Sequence, residues 1–554
     1  MFYNEQNHNN SSQSMNIETI AASVIGSDQT IQTPFGEKPL VYADYTASGR
    51  CLGFIEDYIR DHVMPAYANT HTEFSYTGAQ STLFREQSRS IIHKAVNGSD
   101  DDKVIFCGSG ATAAIDKLMG ILGIRIPSEL AEKITSESLV AEEQRPVIFV
   151  GPYEHHSNEL PWRESIGIVV SIPENDKGQI DCHILEQKLQ EYGHHSVKIG
   201  SFSAASNVTG IRSDVTKITR ILKQYNALSF WDYAAAAPYL KIDMNGEAAI
   251  DAVFFSPHKF VGGPGTPGVL IIKQHIMNNA VPAMVGGGTV SFVTPESHEY
   301  VTNPVVREEG GTPAIIESIR AGLVVKLQQD VGVERIEALE EQMVKRTIEF
   351  LNTLDNVEIL GNPELDRISI FSLRFKHGER DLHHGFVTAL FNDLFGIQMR
   401  GGCSCAGPYG HYLLGIDMSH SNQLSQLVKK GYGCFKPGWV RFNLNYFLCE
   451  DELNYIYQAI KLIAKYGYLL LPYYQLDQAS GIWRYQGQVR DYSCSLADID
   501  FDTQPEKVTK ERSKSLTDYL TQGLHDLKNV KHEWQQYDCC FPSEVEELRW
   551  FATA

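Results

Sequence analysis

Short apolar runs alternate with helical patterns along much of the chain. A brief run of apolar residues that ends in glycine or a polar side chain predicts a fully buried strand. Six such runs lie at residues 103–107, 146–150, 166–172, 198–202, 228–231 and 253–255. The segments between them include 113–122 and 215–225, where apolar residues recur at the spacing of an amphipathic helix. Strands alternating with helices predict an α/β fold with a mostly parallel, doubly wound sheet and helices on both faces.

The pattern changes after the glycine-rich segments 286–288 and 310–311. Residues 314–353 predict a long helical stretch that is interrupted near Gly332. Beyond it, a helix pattern at 382–395 lies between strand patterns, which predicts a smaller α+β domain. The predicted organisation is a disordered tail at 1–16, an N-terminal segment at 17–40 that packs on the small domain, a large domain at 41–310, a small domain at 311–465 and a C-terminal extension at 466–554.

Composition excludes some partners. The formal net charge of -20 argues against nucleic acid and against an anionic membrane surface, because both bind clustered Lys and Arg. No apolar run approaches the length of about 20 residues needed to span a bilayer. The ten cysteines are scattered rather than spaced as in a disulfide-stapled domain, and the Asn/Ser/Gln-rich N-terminus has no apolar core of a signal peptide. We therefore expect a cytoplasmic protein with reduced thiols.

The stretch Ser256-Pro257-His258-Lys259 follows a predicted strand and precedes a glycine-rich loop. A lone lysine there is usually only solvated. Ligands of doubly wound sheets, however, bind beyond the carboxyl ends of the strands, and several of those ends carry polar groups. The groups are Thr112, His155, Asn207, Asp232, Ser256, His258 and Lys259.

These residue types match the requirements of pyridoxal phosphate. The cofactor needs a lysine for a covalent bond, an anion site for its phosphate and a carboxylate facing its pyridine nitrogen. Lys259 is the candidate lysine and Asp232 the candidate carboxylate. The turn at 108–112 opens a predicted helix, where free N–H groups bind phosphate, although a plain packing turn is the commoner role of such a sequence. His155 is a candidate ring to cover the cofactor face, and a surface or core histidine is its alternative.

The chain resembles the class V aminotransferase family of fold-type I pyridoxal-phosphate enzymes, and within it the cysteine desulfurase and selenocysteine lyase branch. The resemblance covers residues 41–406 and lies in segments 43–47, 109–112, 154–158, 206–210, 232–234, 256–259, 311–313 and 400–406. It implies a large domain with a mostly parallel, seven-stranded sheet sandwiched by helices, plus a smaller α+β domain. It also implies a homodimer.

The resemblance assigns roles by position. Lys259 would bind the cofactor covalently, His155 would stack on its ring and Asp232 would pair with its nitrogen. Asn207 and Ala234 would also contact the cofactor. The phosphate would be bound by Ala111, Thr112, Ser256 and His258, and by Thr312 of the neighbouring subunit. Arg400 matches the arginine that binds the substrate carboxylate, with Asn207 and Ala47 beside it. Lys259, His155 and Cys405 would be the catalytic residues.

The implied activity is conversion of L-cysteine to L-alanine, with the sulfur passed through a persulfide on Cys405. A thiolate near Arg400, on a loop rich in glycine, suits that chemistry. A sulfur-acceptor protein is a further expected partner. The alternative is a class V aminotransferase or lyase that acts on another amino acid, with Cys405 only structural. A non-catalytic scaffold is disfavoured because Lys259 and Asp232 are both present.

The chain departs from the desulfurase pattern at two positions. Ala235 stands where desulfurases usually carry a glutamine that hydrogen-bonds the cofactor's phenolic oxygen. Cys403 forms a Cys-Ser-Cys sequence with Cys405, as in the loop of molybdenum-cofactor sulfurases. The pair could form a transient disulfide, relay sulfur or bind a metal with His411, although a metal would lack a fourth ligand. We expect Cys403 to be buried and inert.

Overall fold

The computed structural model describes residues 15–70, 72, 74–131, 140–486, 495–502, 512–529 and 539–554. The predicted disordered tail, 1–16, therefore lies outside the described residues except for its last two positions.

The described chain is a mixture of helices and strands. The strands are β1 (Thr30–Thr33), β2 (Gly36–Pro39), β3 (Val41–Tyr42), β4 (Asp102–Cys107), β5 (Val147–Val150), β6 (Ile168–Ser171), β7 (Lys198–Ser203), β8 (Leu228–Asp232), β9 (Ala252–Phe255), β10 (Gly268–Lys273), β11 (Val290–Val293), β12 (His298–Tyr300), β13 (Val357–Ile359), β14 (Ile370–His377), β15 (Arg380–Asp381), β16 (Ile397–Gln398), β17 (Arg400–Gly402), β18 (Trp439–Asn443), β19 (Tyr474–Asp477) and β20 (Ile482–Tyr485). The helices are α1 (Ile17–Ser23), α2 (Gly53–Tyr58), α3 (Tyr76–Ala95), α4 (Gly110–Leu122), α5 (Ser128–Ala131), α6 (Leu160–Arg163), α7 (Cys182–Glu191), α8 (Val215–Gln224), α9 (Pro304–Glu308), α10 (Ile315–Val331), α11 (Val333–Leu351), α12 (His384–Phe395), α13 (Gly407–Leu413), α14 (Met418–Lys429), α15 (Glu450–Tyr466), α16 (Leu516–Lys528) and α17 (Ser543–Glu546).

The central sheet confirms the predicted fold class. Within the described residues it has seven strands in the order β4-β10-β9-β8-β7-β5-β6. The pairs among β5, β6, β7, β8 and β9 are parallel, and β10 runs antiparallel to both of its neighbours. All six predicted strand positions lie in this sheet. The apolar run of β10 was not among them, because it follows directly on the glycine-rich loop.

The sheet is buried because its strands are apolar on both faces. Every residue of β5, β7, β9 and β10 is buried. That burial pattern is the one a parallel sheet covered by helices requires. The parallel arrangement brings the carboxyl ends of β5, β7, β8 and β9 to one edge of the sheet, and the loops that follow them are neighbours.

A second, antiparallel sheet has the order β13-β14-β18-β17, with β15 paired to β14. The predicted long helical stretch leads into it as α10 and α11. Gly332 separates the two helices with a φ of 91°, which a residue with a side chain rarely adopts. The predicted interruption is confirmed. The predicted domain boundaries stay a prediction.

The C-terminal extension packs against the second sheet's core. Tyr474, Trp483, Tyr519 and Phe551 are buried there together with the side chains of α12 and α15. The hydroxyl of Tyr474 donates to Asp393 Oδ2 at 2.8 Å.

The N-terminal segment contacts both cores. Ile20 of α1 lies in the core around the central sheet. The hairpin β1–β2 contacts the extension, where the fully buried Lys38 forms an ion pair of 3.2 Å with Asp526 of α16. Burial lowers the pKa of Lys38, and Asp526 opposes this shift.

The described residues contain no helix that combines the length and the apolar character needed to cross a membrane. Eight cysteines among them are free thiols: Cys51, Cys107, Cys182, Cys403, Cys405, Cys434, Cys449 and Cys540.

Candidate functional site

A cavity of about 210 Å³ lies beyond the carboxyl ends of the central strands. The structure brings twelve of the predicted site residues to its wall: Ala47, Ala111, Thr112, His155, Asn207, Asp232, Ala234, Ser256, His258, Lys259, Arg400 and Cys405. They come from seven separate segments of the chain. Thr312 is the one predicted residue that does not line the cavity.

Lys259 ends a short 3-10 turn that follows β9. Its pKa is lowered to about 8, first by burial and also by the nearby guanidinium groups of Arg441 and Arg400, while Asp232 opposes the shift. A lysine amine with a pKa close to neutral is a far better nucleophile than an ordinary surface lysine. The residue therefore has the electrostatics of a reactive amine.

Asp232 is the last residue of β8 and is buried at the cavity wall. Its Oδ1 accepts a hydrogen bond of 2.7 Å from the backbone N–H of Ala234. Burial raises the pKa of Asp232 to about 6, against the effects of that hydrogen bond and of Lys259. A buried carboxylate of this kind is stabilised by a cationic partner in the cavity.

An anion site is built where α4 begins. Gly110 has a φ of 59°, and a side chain there would put its Cβ 2.9 Å from Ser256 Oγ. The N–H of Ala111 donates to Ser256 Oγ at 2.8 Å, which leaves the serine hydroxyl free to donate into the cavity. Thr112 and Ser157 share a hydrogen bond of 2.6 Å between their hydroxyls. Free N–H groups and hydroxyls at the start of a helix bind phosphate.

The two histidines of the site are neutral. The pKa of His155 is lowered to about 3 by burial and then by the charge of Lys259. The pKa of His258 is lowered to about 4 by the same two causes. His155 Nδ1 accepts from the N–H of Ser157 at 3.1 Å, so its proton is assigned to Nε2. A neutral imidazole can stack on an aromatic ring without carrying a charge into the cavity.

The loop of Cys405 is a tight turn. The N–H of Ala406 donates to the carbonyl of Cys403 at 3.2 Å, and the two residues between them have φ values of 54° and 57°. This is the conformation of a type I′ turn, which normally takes Asn and Gly. Non-glycine residues pay roughly 1–2 kcal/mol each for such a backbone, and strain of this kind concentrates at functional sites.

The expectation that Cys403 is buried is wrong, while its expected inertness stays a prediction. Cys403 is exposed, whereas Cys405 is half-buried and lines the cavity.

The metal alternative gains no support. His411 Nδ1 is 2.8 Å from the carbonyl of Gly407, and its Nε2 is 2.7 Å from Ser421 Oγ. Both ring nitrogens are thus engaged. In the described portions of the chain, His, Cys, Asp and Glu form no group of three that could hold a metal.

Arg441 is a site residue that the sequence reasoning missed. It lies in the middle of β18, is buried, and lines the cavity beside Arg400. It donates to Asp44 Oδ1 at 3.0 Å and to the carbonyl of Asn207 at 3.1 Å, while its Nε has no partner. The signal in the sequence was an arginine inside an otherwise apolar strand. Such a buried cation is rare unless it binds an anion.

Thr312 and Ala235 differ in their places relative to the cavity. Thr312 is exposed, and its hydroxyl accepts from Asn69 Nδ2 at 3.3 Å. It lies outside the cavity of its own chain, so its assignment to a neighbouring subunit stays a prediction. Ala235 is buried and lines the cavity, so the space of the missing glutamine side chain belongs to the cavity itself.

The fold and the site together define a pyridoxal-phosphate-dependent enzyme of fold type I. A mostly parallel seven-stranded sheet places a lysine, a buried aspartate and a helix-start anion site around one cavity. The chain belongs to the aminotransferase class-V family, whose sequence pattern matches residues 41–425.

Individual relatives agree with this assignment. The chain is 28% identical over 384 residues to a probable cysteine desulfurase of Halalkalibacterium halodurans, which covers 68% of this chain and 86% of that protein. It is 27% identical over 385 residues to a probable cysteine desulfurase of Staphylococcus aureus, which covers 68% of this chain and 85% of that protein.

Solved structures share the fold. A cysteine desulfurase from Thermococcus onnurineus in its apo form superposes with a TM-score of 0.61 and 23% identity, covering 77% of this chain and 95% of that chain. The cysteine desulfurase CsdA of Escherichia coli superposes with a TM-score of 0.61 and 19% identity, covering 81% of this chain and 98% of that chain.

Proposed function

We propose that this protein is a pyridoxal-phosphate-dependent cysteine desulfurase that converts L-cysteine to L-alanine and keeps the sulfur as a persulfide on Cys405. The observation that carries the proposal is that Cys405 and Lys259 line the same cavity although 146 residues separate them. The relatives named as probable cysteine desulfurases support it.

The residues present fit the cofactor. Asn207 Oδ1 is a buried acceptor without a partner, and Asp232 is a buried carboxylate whose pKa is raised by burial. A ligand with a hydrogen-bond donor would satisfy Asn207 Oδ1, and a ligand with a protonated ring nitrogen would stabilise the carboxylate of Asp232. Lys259 would bind the cofactor, with Ala111, Thr112, Ser256 and His258 around its phosphate. When bound, the cofactor supplies an electron sink for the pair of electrons released at the substrate's α-carbon.

The substrate carboxylate has two candidate arginines. Arg400 is exposed and Arg441 is buried with an unpartnered Nε, so Arg441 is the better preorganised of the two. A planar guanidinium suits a carboxylate because it can donate two parallel hydrogen bonds. We assign the carboxylate to Arg441 together with Arg400, with Asn207 and Ala47 beside them.

Lys259 and Cys405 have different roles toward the substrate: Lys259 transfers protons and Cys405 attacks the sulfur. Lys259, once released from the cofactor, is placed to accept and return protons as a neutral amine. The thiolate of Cys405 would attack the substrate sulfur, so that the carbon–sulfur bond breaks and a persulfide remains on the protein. The charge partners for that thiolate are the two arginines at the cavity wall.

The proposal extends to partners. We propose a homodimer in which Thr312 completes the phosphate site of the neighbouring subunit, because Thr312 is exposed and outside its own cavity. A sulfur-acceptor protein would remove the persulfide. A cytoplasmic location suits the free thiols, which this mechanism requires to stay reduced.

Replacing Cys405 with alanine tests the function. Wild-type protein with pyridoxal phosphate, L-cysteine and a reducing thiol should release alanine and sulfide in equal amounts, and Cys405→Ala should lower that rate by about 10³-fold. Cys449→Ala is the matched control, because Cys449 is exposed and is not among the residues that line the cavity. Full activity in Cys405→Ala would favour the class V aminotransferase or lyase alternative, with Cys405 only structural.

Conservative substitutions separate the two arginines. Arg441→Lys keeps the charge but loses the paired donors, and we expect it to raise KM for L-cysteine by about tenfold or more. Arg400→Lys should have a smaller effect because its side chain is exposed. Steady-state kinetics with Arg60→Lys, an exposed surface variant, provide the control. A large increase in KM for Arg400→Lys alone would mean that Arg400, and not Arg441, binds the substrate carboxylate.

Cofactor loading should depend on pH. Since the pKa of Lys259 is lowered to about 8, the amine becomes neutral and nucleophilic as the pH rises through that value. The rate at which cofactor-free protein gains visible absorbance with pyridoxal phosphate should therefore rise through about pH 8 and then level off. Asp232 raises the pKa of Lys259, so Asp232→Asn should move the midpoint to lower pH. A midpoint near that of free lysine would contradict this environment for Lys259.

A further inference from the structure

We propose that Cys403 is a relay cysteine that takes the sulfur from Cys405 and presents it at the protein surface. The proposal rests on the proposed desulfurase function, and it adds a second sulfur-carrying residue with a defined direction of transfer. The expected recipient is a thiol too large to enter the cavity, such as a cysteine on another protein.

The two thiols belong to one turn and differ in their exposure. Cys405 lines the cavity and is half-buried, while Cys403 is exposed to solvent. Cα atoms two residues apart are separated by at most about 7 Å. The hydrogen bond from the N–H of Ala406 to the carbonyl of Cys403 closes the turn and keeps the pair together. Two cysteine sulfurs can meet across a Cα separation of up to about 7 Å, so the relay requires movement of side chains within the turn and no wider movement of the loop.

The backbone of Cys405 is held inside the site. Its carbonyl accepts from the N–H of His156 at 2.8 Å, and the carbonyl of Ser404 accepts from Asn207 Nδ2 at 2.8 Å. The N–H of Gly407 donates to His156 Nε2 at 2.9 Å. Carrying Cys405 to the surface would break all three bonds and detach the loop from two segments that line the cavity.

These three hydrogen bonds distinguish the turn from a freely moving loop. His156 follows the proposed cofactor contact His155 directly in the chain, and Asn207 is itself a proposed cofactor contact. The sulfur can leave without disturbing those contacts if a second thiol collects it. Cys403 is the exposed thiol nearest to Cys405 in the chain.

The transfer is a balanced exchange between two thiols. The thiolate of Cys403 attacks the outer sulfur of the Cys405 persulfide, and a sulfur–sulfur bond forms between them. The bond between the outer sulfur and Cys405 Sγ breaks, and its electron pair stays on Cys405 as a thiolate. The proton carried by the outer sulfur moves with it. No oxidant or reductant is consumed, and the persulfide has moved from Cys405 to Cys403.

Mass spectrometry of the loop peptide tests the relay. Holoenzyme is mixed with limiting L-cysteine, quenched at increasing times with an alkylating reagent that preserves persulfides, and fragmented to locate the extra sulfur. We expect it first on Cys405 and later on Cys403 in the wild type, only on Cys405 in Cys403→Ser, and on neither in Cys405→Ser. Extra sulfur on Cys403 in Cys405→Ser, or no extra sulfur on Cys403 in the wild type, would overturn the relay.

A pair of acceptor thiols provides a functional test. Alanine release is measured with dithiothreitol, which is small, and with the single exposed cysteine of a small folded protein, which is too large to enter a cavity of about 210 Å³. The ratio of the rate with the large thiol to the rate with dithiothreitol should fall by about tenfold in Cys403→Ser. Cys449→Ser, which replaces another exposed cysteine, should keep the wild-type ratio.

The outcomes separate the relay from the enzyme activity. An unchanged ratio in Cys403→Ser, with a persulfide still formed on Cys405, overturns the relay and leaves the desulfurase function standing. Absence of alanine and of any persulfide in the wild-type holoenzyme means that the proposed function itself fails. Visible absorbance of the bound cofactor checks that each variant is folded and loaded.

Discussion

Lys259→Ala should abolish both the visible absorbance of the bound cofactor and the release of alanine. Lys259 is the lysine that lines the cavity, and burial already lowers its pKa to about 8. Among the described residues, Lys259 is the lysine whose amine lines the cavity, and alanine removes it, so we expect activity to fall by about 10³-fold or more. Spectra after gel filtration and alanine assays measure the two effects.

The control for this variant is Lys461→Ala, which replaces an exposed lysine on α15. It should keep the visible band and the wild-type rate. A visible band that survives gel filtration in Lys259→Ala would mean that another amine binds the cofactor. Partial recovery of activity by a small primary amine added to Lys259→Ala would instead support the assigned role.

Ending the chain after Tyr466 should remove stable folding of the second core. Tyr474, Trp483, Tyr519 and Phe551 are buried there. Loss of a single large aromatic side chain from a core costs about 3–5 kcal/mol. Four such losses, about 12–20 kcal/mol, match or exceed the about 5–15 kcal/mol of stability that a typical protein has. We therefore expect an aggregating or unfolded product rather than a trimmed enzyme, as measured by solubility and thermal unfolding.

Two neighbouring residues of β20 provide a graded test. Trp483→Ala should lower the free energy of unfolding by about 3–5 kcal/mol, because its side chain is buried. Ile482→Ala should change it by about 0.5 kcal/mol or less, because Ile482 faces solvent. A truncated chain with the melting temperature and activity of the full protein would show that the extension is a separate appendage.

Local patterns were enough to predict the central sheet. Buried parallel strands are continuous apolar runs, so each of the six could be recognised without knowledge of its neighbours. The seventh strand, β10, is equally apolar. It was missed because it follows directly on the glycine-rich loop. Its antiparallel place between β4 and β9 depends on pairing with distant strands, which the apolar run itself does not specify.

The site was predictable for a related reason. Lys259 and Asp232 each follow directly on a strand, and parallel strands bring such positions to one edge of a sheet. Arg441 had no comparable signal. Its place at the cavity depends on contacts with Asp44 and with Asn207, which lie 397 and 234 residues away along the chain.

The amino-acid sequence by itself determined the strands, the helix starts and the chemical groups at the strand ends, because these depend on residues close together in the chain. Only the tertiary structure decided that Arg441 faces the cavity, that Cys403 faces solvent while Cys405 does not, and that the C-terminal extension completes a core. Those properties depend on which distant surfaces exclude water from a side chain, and that is settled only when the whole chain has packed.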